Sequence, residues 1–151
     1  MNKKSNQKKI LVFLPVILGG LLYILFRSDN LLMFKWFEYI NIKKTIFLIR
    51  NNINFHPSDW IIYNLPDGLW LFSYTSLMIN IWKNKMNYES IFWIFIVPFI
   101  AILSEFLQLF NLISGTFDFI DLLFYILGTI IPITLYIRTN NLNIYNYEKK
   151  N

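Results

Sequence analysis

Three carboxylates interrupt an apolar stretch that runs from residue 104 to residue 128. They are Glu105, Asp118 and Asp121; Gln108 adds an amide, and the stretch holds no Lys, Arg or His. Acids in such surroundings must be neutral, share protons or hold a cation, because burial and mutual repulsion disfavour their ionised form. A buried acid weakens a membrane helix rather than supporting it, so it indicates function. The stretch therefore predicts a proton, divalent-cation or amine site.

The spacing of these residues places them on one side of each predicted helix. Glu105 and Gln108 are three residues apart, as are Asp118 and Asp121, and residues three or four apart are neighbours on a helix surface. Continuing the second stripe leads to Tyr125. We expect these five side chains to face a common interior.

A fourth acid, Asp67, opens an earlier apolar segment at the same membrane face. The short turn 114–116 forces the two later segments into an antiparallel hairpin, and Ser114 or Thr116 can cap the second helix. Equal residue counts from the turn place Glu105 and Tyr125 at similar depth. We therefore expect the Tyr125 hydroxyl to hydrogen-bond Glu105 or to share its ligand.

Composition and hydropathy indicate an all-α membrane protein. Of the 151 residues, 56% are hydrophobic and 19% aromatic, which exceeds the share in soluble domains. Four segments reach, or nearly reach, the length of a transmembrane helix: 10–26, 66–82, 91–113 and 117–137. The first follows a basic start without a cleavage-site pattern, so we expect an uncleaved anchor. The connection 27–65 mixes aromatic and charged residues, which predicts an interfacial helical segment between the first two spans.

Basic residues lie at the segment ends, which predicts membrane orientation rather than nucleic-acid binding. With four spans, nine share the side of both termini: Lys3, Lys4, Lys8, Lys9, Lys83, Lys85, Arg138, Lys149 and Lys150. Five lie on the other side: Arg27, Lys35, Lys43, Lys44 and Arg50. This bias predicts that both termini are cytoplasmic.

Several kinds of chemistry are excluded or left open. The chain has no Cys, which excludes disulfides, thiol catalysis and Cys-based metal sites. Its only His, His56, stands in a loop without a Ser-His-Asp arrangement around it. No residue pattern selects a particular catalytic group, metal or cofactor.

The 104–128 stretch resembles the core of the VanZ-like family of bacterial membrane proteins, which is named for a protein linked to resistance to the glycopeptide antibiotic teicoplanin. The family pattern is Ser-Glu-x-x-Gln on one span, a Gly-Arg-x-x-Asp turn, and Asp-x-x-x-Asn-x-x-Gly on the next. An earlier span begins with Asp. The matching residues are Ser104, Glu105, Gln108, Gly115, Asp118, Asp121 and Gly128, with Asp67 and Tyr74 for the earlier span.

The chain departs from that pattern at four positions. Thr116 stands where Arg is usual and Tyr125 where Asn is usual, while Gly68 and Leu71 replace a Lys and a His. The missing Arg removes a fixed positive charge from the turn. The resemblance covers residues 60–137 and implies a single domain over 1–151, with a polar tail at 138–151, in the bacterial inner membrane.

Three functions are compatible with these residues. The resemblance and the acids favour an acidic pocket near the outer face that binds an envelope lipid, a cation or an amphiphilic drug. An intramembrane enzyme acting on a lipid-linked substrate through Glu105 and Asp121 is the first alternative, and the missing His and Arg argue against it. A proton- or cation-coupled transporter component is the second, and with so few spans it would act as a homo-oligomer.

Overall fold

The structure, a computed structural model, describes residues 3–82 and 87–148, with side chains for 9–82 and 87–138. These residues form seven α-helices and no strand, so the prediction of an all-α fold is confirmed for this part of the chain. The helices are α1 (Lys3–Phe26), α2 (Leu32–Tyr39), α3 (Lys43–Asn51), α4 (Asp59–Tyr63), α5 (Leu65–Ile81), α6 (Tyr88–Leu109) and α7 (Phe119–Glu148). The polar tail from residue 138 continues α7 as far as Glu148.

Three helices are long and apolar enough to cross a membrane. The candidate segments are Lys9–Phe26 in α1, Tyr88–Leu109 in α6 and Phe119–Arg138 in α7. Fewer than a quarter of the residues in each segment are buried within the protein. Large apolar side chains therefore face outward along all three, as lipid contact requires.

Helix α5 coincides with the second predicted span and lies at the centre of the bundle. It packs mainly against α1 and α7, and less extensively against α6. Its 17 residues correspond to about 26 Å at 1.5 Å per residue. That length is the short limit for a spanning helix, and α5 is shorter than α1, α6 and α7, the helices that contain the other three predicted spans.

Contacts along α1 show that it runs antiparallel to α5. The Ser73 hydroxyl donates a hydrogen bond to the Val12 carbonyl, while Gly19, later in α1, lies against Trp70, earlier in α5. A Cβ on Gly19 would stand 2.7 Å from the Trp70 indole nitrogen. Glycine is therefore required for this close approach.

The α5–α7 contact brings two backbones together at Gly68 and Gly128. A Cβ on Gly128 would collide with the Gly68 carbonyl oxygen and lie 3.2 Å from the Leu71 Cβ. A Cβ on Gly68 would meet the Phe124 ring at 2.9 Å. Gly68 lies against Phe124, and the later residue Leu71 lies against the later residue Gly128, so α5 and α7 are parallel.

Helix α6 runs antiparallel to α5 and α7. Its start is fixed by a capping box, in which Asn87 accepts a hydrogen bond from the Ser90 backbone N–H at 3.0 Å and the Ser90 hydroxyl accepts from Asn87 at 2.9 Å. The Tyr74 hydroxyl donates to the Trp93 carbonyl, which ties α6 to α5. The end of α1, the start of α5, the end of α6 and the start of α7 thus lie at one end of the bundle.

The turn between α6 and α7 is longer than the sequence analysis predicted. Helix α6 ends at Leu109 and α7 begins at Phe119, so the expected turn at 114–116 and the expected span as far as residue 113 are wrong. Asn111 adopts a left-handed conformation with φ 57°. Its N–H donates to the Gln108 carbonyl and the Leu112 N–H donates to the Leu107 carbonyl, both at 2.9 Å. This pattern is a Schellman C-cap, with Asn111 in the position that glycine usually takes.

The connection 27–65 contains two short helices packed as a hairpin, followed by α4. Phe34 in α2 is fully buried and meets the rings of Phe37 and Phe47 edge-on. Lys43 donates a hydrogen bond of 2.9 Å to Glu38, and this bond and charge hold the pKa of that exposed carboxyl below its usual value. Arg50 in α3 donates a hydrogen bond of 2.7 Å to the Arg27 carbonyl just after α1, so the connection is folded against the end of α1.

Seven of the basic residues on which the predicted membrane orientation depends lie outside the part of the chain with described side chains. They are Lys3, Lys4, Lys8, Lys83, Lys85, Lys149 and Lys150.

Candidate functional site

Asn64, immediately before α5, binds two of the predicted site residues at once. Its side-chain amide donates to Asp118 at 2.9 Å and to Asp121 at 2.8 Å. Asn64 is only 3% exposed, so these bonds form largely out of water, where such contacts are strongest. Sequence analysis missed this residue, although it precedes Asp67 by three positions and thus lies on the same helix face.

Glu105 fastens the end of α6 to the start of α7. It is 3% exposed, and its Oε2 accepts a hydrogen bond from the Asp118 backbone N–H at 3.2 Å. Asp118 also caps α7, because its Oδ1 accepts from the Ile120 N–H at 2.7 Å. The cap is therefore Asp118, not Ser114 or Thr116 as predicted. The positive end of the α7 dipole favours both carboxylates.

Two further predicted residues lie close to these groups. Asp67 interacts electrostatically with Asp121 and Glu105. The Tyr125 hydroxyl is within electrostatic range of all four acids: Asp67, Glu105, Asp118 and Asp121. We call these four acids, Asn64 and Tyr125 the acid cluster.

Arg27 brings a positive charge near the acids, although no salt bridge joins it to a carboxylate in the described part of the chain. It follows the last residue of α1, and its charge acts on Asp67 and Asp121. The guanidinium lies between two tyrosine rings, 4.9 Å from the Tyr23 centroid and 4.8 Å from the Tyr63 centroid. Sequence analysis assigned Arg27 to membrane orientation, because nothing local in the sequence shows that α1 ends beside the start of α5.

Other predicted residues lie outside the acid cluster. The Gln108 side chain covers Gly115 in the turn, where a Cβ would approach its amide to 2.8 Å and where φ is +138°. Glycine at position 115 thus serves both the backbone conformation and this contact. The Ser104 hydroxyl donates to the Ala101 carbonyl within α6 at 2.7 Å. His56 is exposed in the loop before α4.

The expected direct bond between Tyr125 and Glu105 is not formed. Among residues 9–82 and 87–138, no hydrogen bond joins the Tyr125 hydroxyl to a carboxylate. Within the same residues, no three Asp, Glu or His side chains are grouped closely enough to hold a metal ion. A ligand that bridges Tyr125 and the acids would instead need a donor group of its own, such as an ammonium.

The acid cluster combines fixed and free acceptors. Asp118 and Asp121 are held by Asn64, and Glu105 is held by the Asp118 N–H. Asp67 makes no hydrogen bond within the described part of the chain. Four acids lie close together and Arg27 acts on two of them, Asp67 and Asp121, so acidic groups outnumber basic ones at this site.

The fold and this site describe an all-helical protein with three helices that could span a membrane. Comparison of the chain with protein-family models, with curated proteins and with solved structures gives no match.

Proposed function

We propose that the chain is a multi-pass protein of the bacterial inner membrane, of VanZ-like type, that binds the ammonium group of an amphiphile in its acid cluster. An envelope lipid or an amphiphilic drug supplies such a group. The observation that carries this proposal is the convergence of Asp67, Glu105 and Asp121 beside Tyr125, with Arg27 as the one described basic residue acting on them.

Four membrane spans fit this proposal. Helix α5 is parallel to α7 and antiparallel to α1 and α6, as the second of four spans must be. It is screened by α1 and α7, so Asn64, just before the helix, is buried in protein rather than in lipid, and Asp67 in its first turn is half-buried there. Both termini then lie on one side, and the acid cluster lies on the other.

The α2–α3 hairpin has the surface of an interfacial element. Its exposed apolar side chains include Leu32, Trp36, Leu48 and Ile49. Lys35 and Lys44 are exposed beside them. Such a combination lies at the level of the lipid headgroups, next to the end of the bundle that carries the acid cluster.

Cytoplasmic termini are tested with reporter fusions after residue 137. We expect a cytoplasmic signal, because the Lys and Arg bias is greater on that side. A periplasmic signal would refute this orientation and would place the acid cluster at the cytoplasmic face.

The resemblance to the VanZ-like family agrees with several contacts of this structure. Glu105 and Asp118 are joined by a hydrogen bond, and Gly128 permits the α5–α7 approach. Thr116 lacks the charge of the usual Arg, and we propose that Arg27 provides a positive charge at the acid cluster instead.

Amine binding is tested with purified protein in nanodiscs by native mass spectrometry. Dodecylamine is the probe, and dodecanol controls for the alkyl chain. We expect Glu105→Gln and Asp121→Asn each to weaken dodecylamine binding about ten-fold or more, as expected when a charge-assisted contact is lost. Glu89→Gln is the matched control, because Glu89 is exposed at the opposite end of α6.

Equal binding of dodecanol, or unchanged dodecylamine binding in both variants, would refute the proposed function.

A further inference from the structure

Arg27 has a guanidinium nitrogen without a partner. Its Nε is buried and makes no hydrogen bond. The flanking rings of Tyr23 and Tyr63 restrict the guanidinium plane. A buried donor without an acceptor costs free energy, so this atom indicates a group that the isolated chain does not supply.

Arg50, from α3, lies beside Arg27 and shares this property. Its Nη2 donates to the Arg27 carbonyl at 2.7 Å. Its guanidinium carbon lies 5.2 Å from the Phe34 ring centroid and 5.4 Å from that of Phe47. Its Nη1 is buried without a hydrogen-bond partner. Two guanidinium groups, from Arg27 and from Arg50 in α3, therefore lie near the end of α1, and each has a donor without a partner.

Arg27 attracts two of the acids but is not paired with them. The charge of Arg27 acts on Asp67 and Asp121, yet across residues 9–82 and 87–138 the one salt bridge joins Lys43 to Glu38. Arg27 is thus more than 4.0 Å from any carboxylate oxygen of that part of the chain. Opposite charges that act on each other without a direct ion pair are suited to a ligand that carries both signs.

We infer that the two arginines and the acid cluster form one site for a zwitterionic group that contains a phosphodiester and a primary amine. The amine half rests on the proposed function. The phosphodiester half rests on Arg27 and Arg50, because a guanidinium presents a planar fork of donors that matches phosphate oxygens. A phosphodiester has two unesterified oxygens, so each arginine can bind one of them.

Phosphatidylethanolamine in nanodiscs is the principal probe for this inference. Phosphatidylglycerol has the phosphate without the amine, and dodecylamine has the amine without the phosphate. Free glycerophosphoethanolamine, which keeps the phosphodiester and the amine, tests whether the headgroup suffices without acyl chains. We expect phosphatidylethanolamine to bind at least about ten-fold more tightly than either half-matched amphiphile, because only it engages both charges.

Arginine variants separate the two halves of the site. We expect Arg27→Gln and Arg50→Gln to weaken phosphatidylethanolamine binding about ten-fold or more. Arg27→Gln should also strengthen dodecylamine binding, because it removes a positive charge that acts on Asp67 and Asp121. Lys44→Gln is the control, since Lys44 is exposed on α3. If Arg27→Gln fails to fold, Arg27→Lys keeps the charge but removes the fork, and it should weaken phosphatidylethanolamine binding as well.

The outcomes distinguish this inference from the proposed function. Equal affinity for phosphatidylethanolamine and dodecylamine, or unchanged phosphatidylethanolamine binding in the arginine variants, would overturn the zwitterionic site and leave amine binding intact. Failure of the unmodified protein to bind dodecylamine would overturn the proposed function itself. Binding of glycerophosphoethanolamine as tight as that of the lipid would support the headgroup chemistry with a free molecule as its source.

Discussion

Replacing Gly128 by alanine tests whether the α5–α7 approach holds the acid cluster together. The new Cβ would lie 3.2 Å from both the Gly68 carbonyl carbon and the Leu71 Cβ, and closer still to the Gly68 oxygen. Ordinary contacts of this kind begin at 3.4 Å. Because two of the three obstacles are backbone atoms, the helices themselves must separate by several tenths of an ångström.

The expected loss follows from comparison with a second glycine. Overpacking of this kind costs about 1–3 kcal/mol, while alanine gains about 1 kcal/mol over glycine inside a helix. Gly20→Ala is the matched control, because a Cβ there meets nothing within 4 Å. The gain in helix propensity is common to both variants. The free energy of unfolding of Gly128→Ala should therefore be about 1–3 kcal/mol lower than that of Gly20→Ala.

The stability of the two variants is measured by titration with SDS in detergent micelles, with the fluorescence of the five tryptophans as the signal. A difference below about 0.5 kcal/mol, the range of neutral substitutions, would refute the close-packing argument. Dodecylamine binding provides a second measurement. Gly68 lies one turn after Asn64, so separation of the helices should also lengthen the bonds from Asn64 to Asp118 and Asp121 and weaken binding.

Further substitutions at three residues test single side chains of the acid cluster. Glu105→Leu removes the acceptor of the Asp118 N–H and should lower the free energy of unfolding by about 1–3 kcal/mol, whereas Glu105→Gln keeps an acceptor and should cost less; equal losses in the SDS titration would contradict this. Asn64→Asp places a third carboxylate beside Asp118 and Asp121, so it should destabilise more at about pH 8 than at about pH 4, where protonation relieves the repulsion. A pH-independent loss would count against a direct contact. Tyr125→Phe should weaken dodecylamine binding about three-fold or more without loss of stability, and unchanged binding would make Tyr125 a packing residue only.

The helices and their polar faces could be predicted because both depend on local sequence. Hydropathy located α1, α6 and α7, and the three-residue spacing of Asp118 and Asp121 placed both beside Asn64. Glu105 was singled out because an acid among Phe and Leu is costly. Glu105 also accepts a hydrogen bond from the Asp118 N–H and so stabilises the contact between α6 and α7. The free-energy cost of an acid in apolar surroundings did not predict this structural role.

The partners of the acids could not be predicted, because they depend on packing between distant segments. The charge of Arg27 acts on Asp67 because α1 packs against α5, an approach that Gly19 permits beside Trp70. The α6–α7 turn was misjudged for a local reason. Asn111 takes the left-handed position that ends α6, and an Asn followed by apolar residues is a weaker stop signal than glycine.

The two hydrogen bonds of Asn64 can form only late in synthesis, because their acceptors are translated long after Asn64. Asn64 leaves the ribosome 54 residues before Asp118 and 57 residues before Asp121, an interval of about 3–11 s at 5–20 residues per second. During that interval the start of α5 has neither carboxylate to bind and no α7 to cover Gly68. In the proposed membrane topology, the start of α5, with Asn64 and Asp67, must therefore be sheltered, at the translocon or against an insertase, until the last helix arrives. Stalling translation between residues 82 and 118 should leave α5 more accessible to water-soluble labelling reagents than it is in the complete chain.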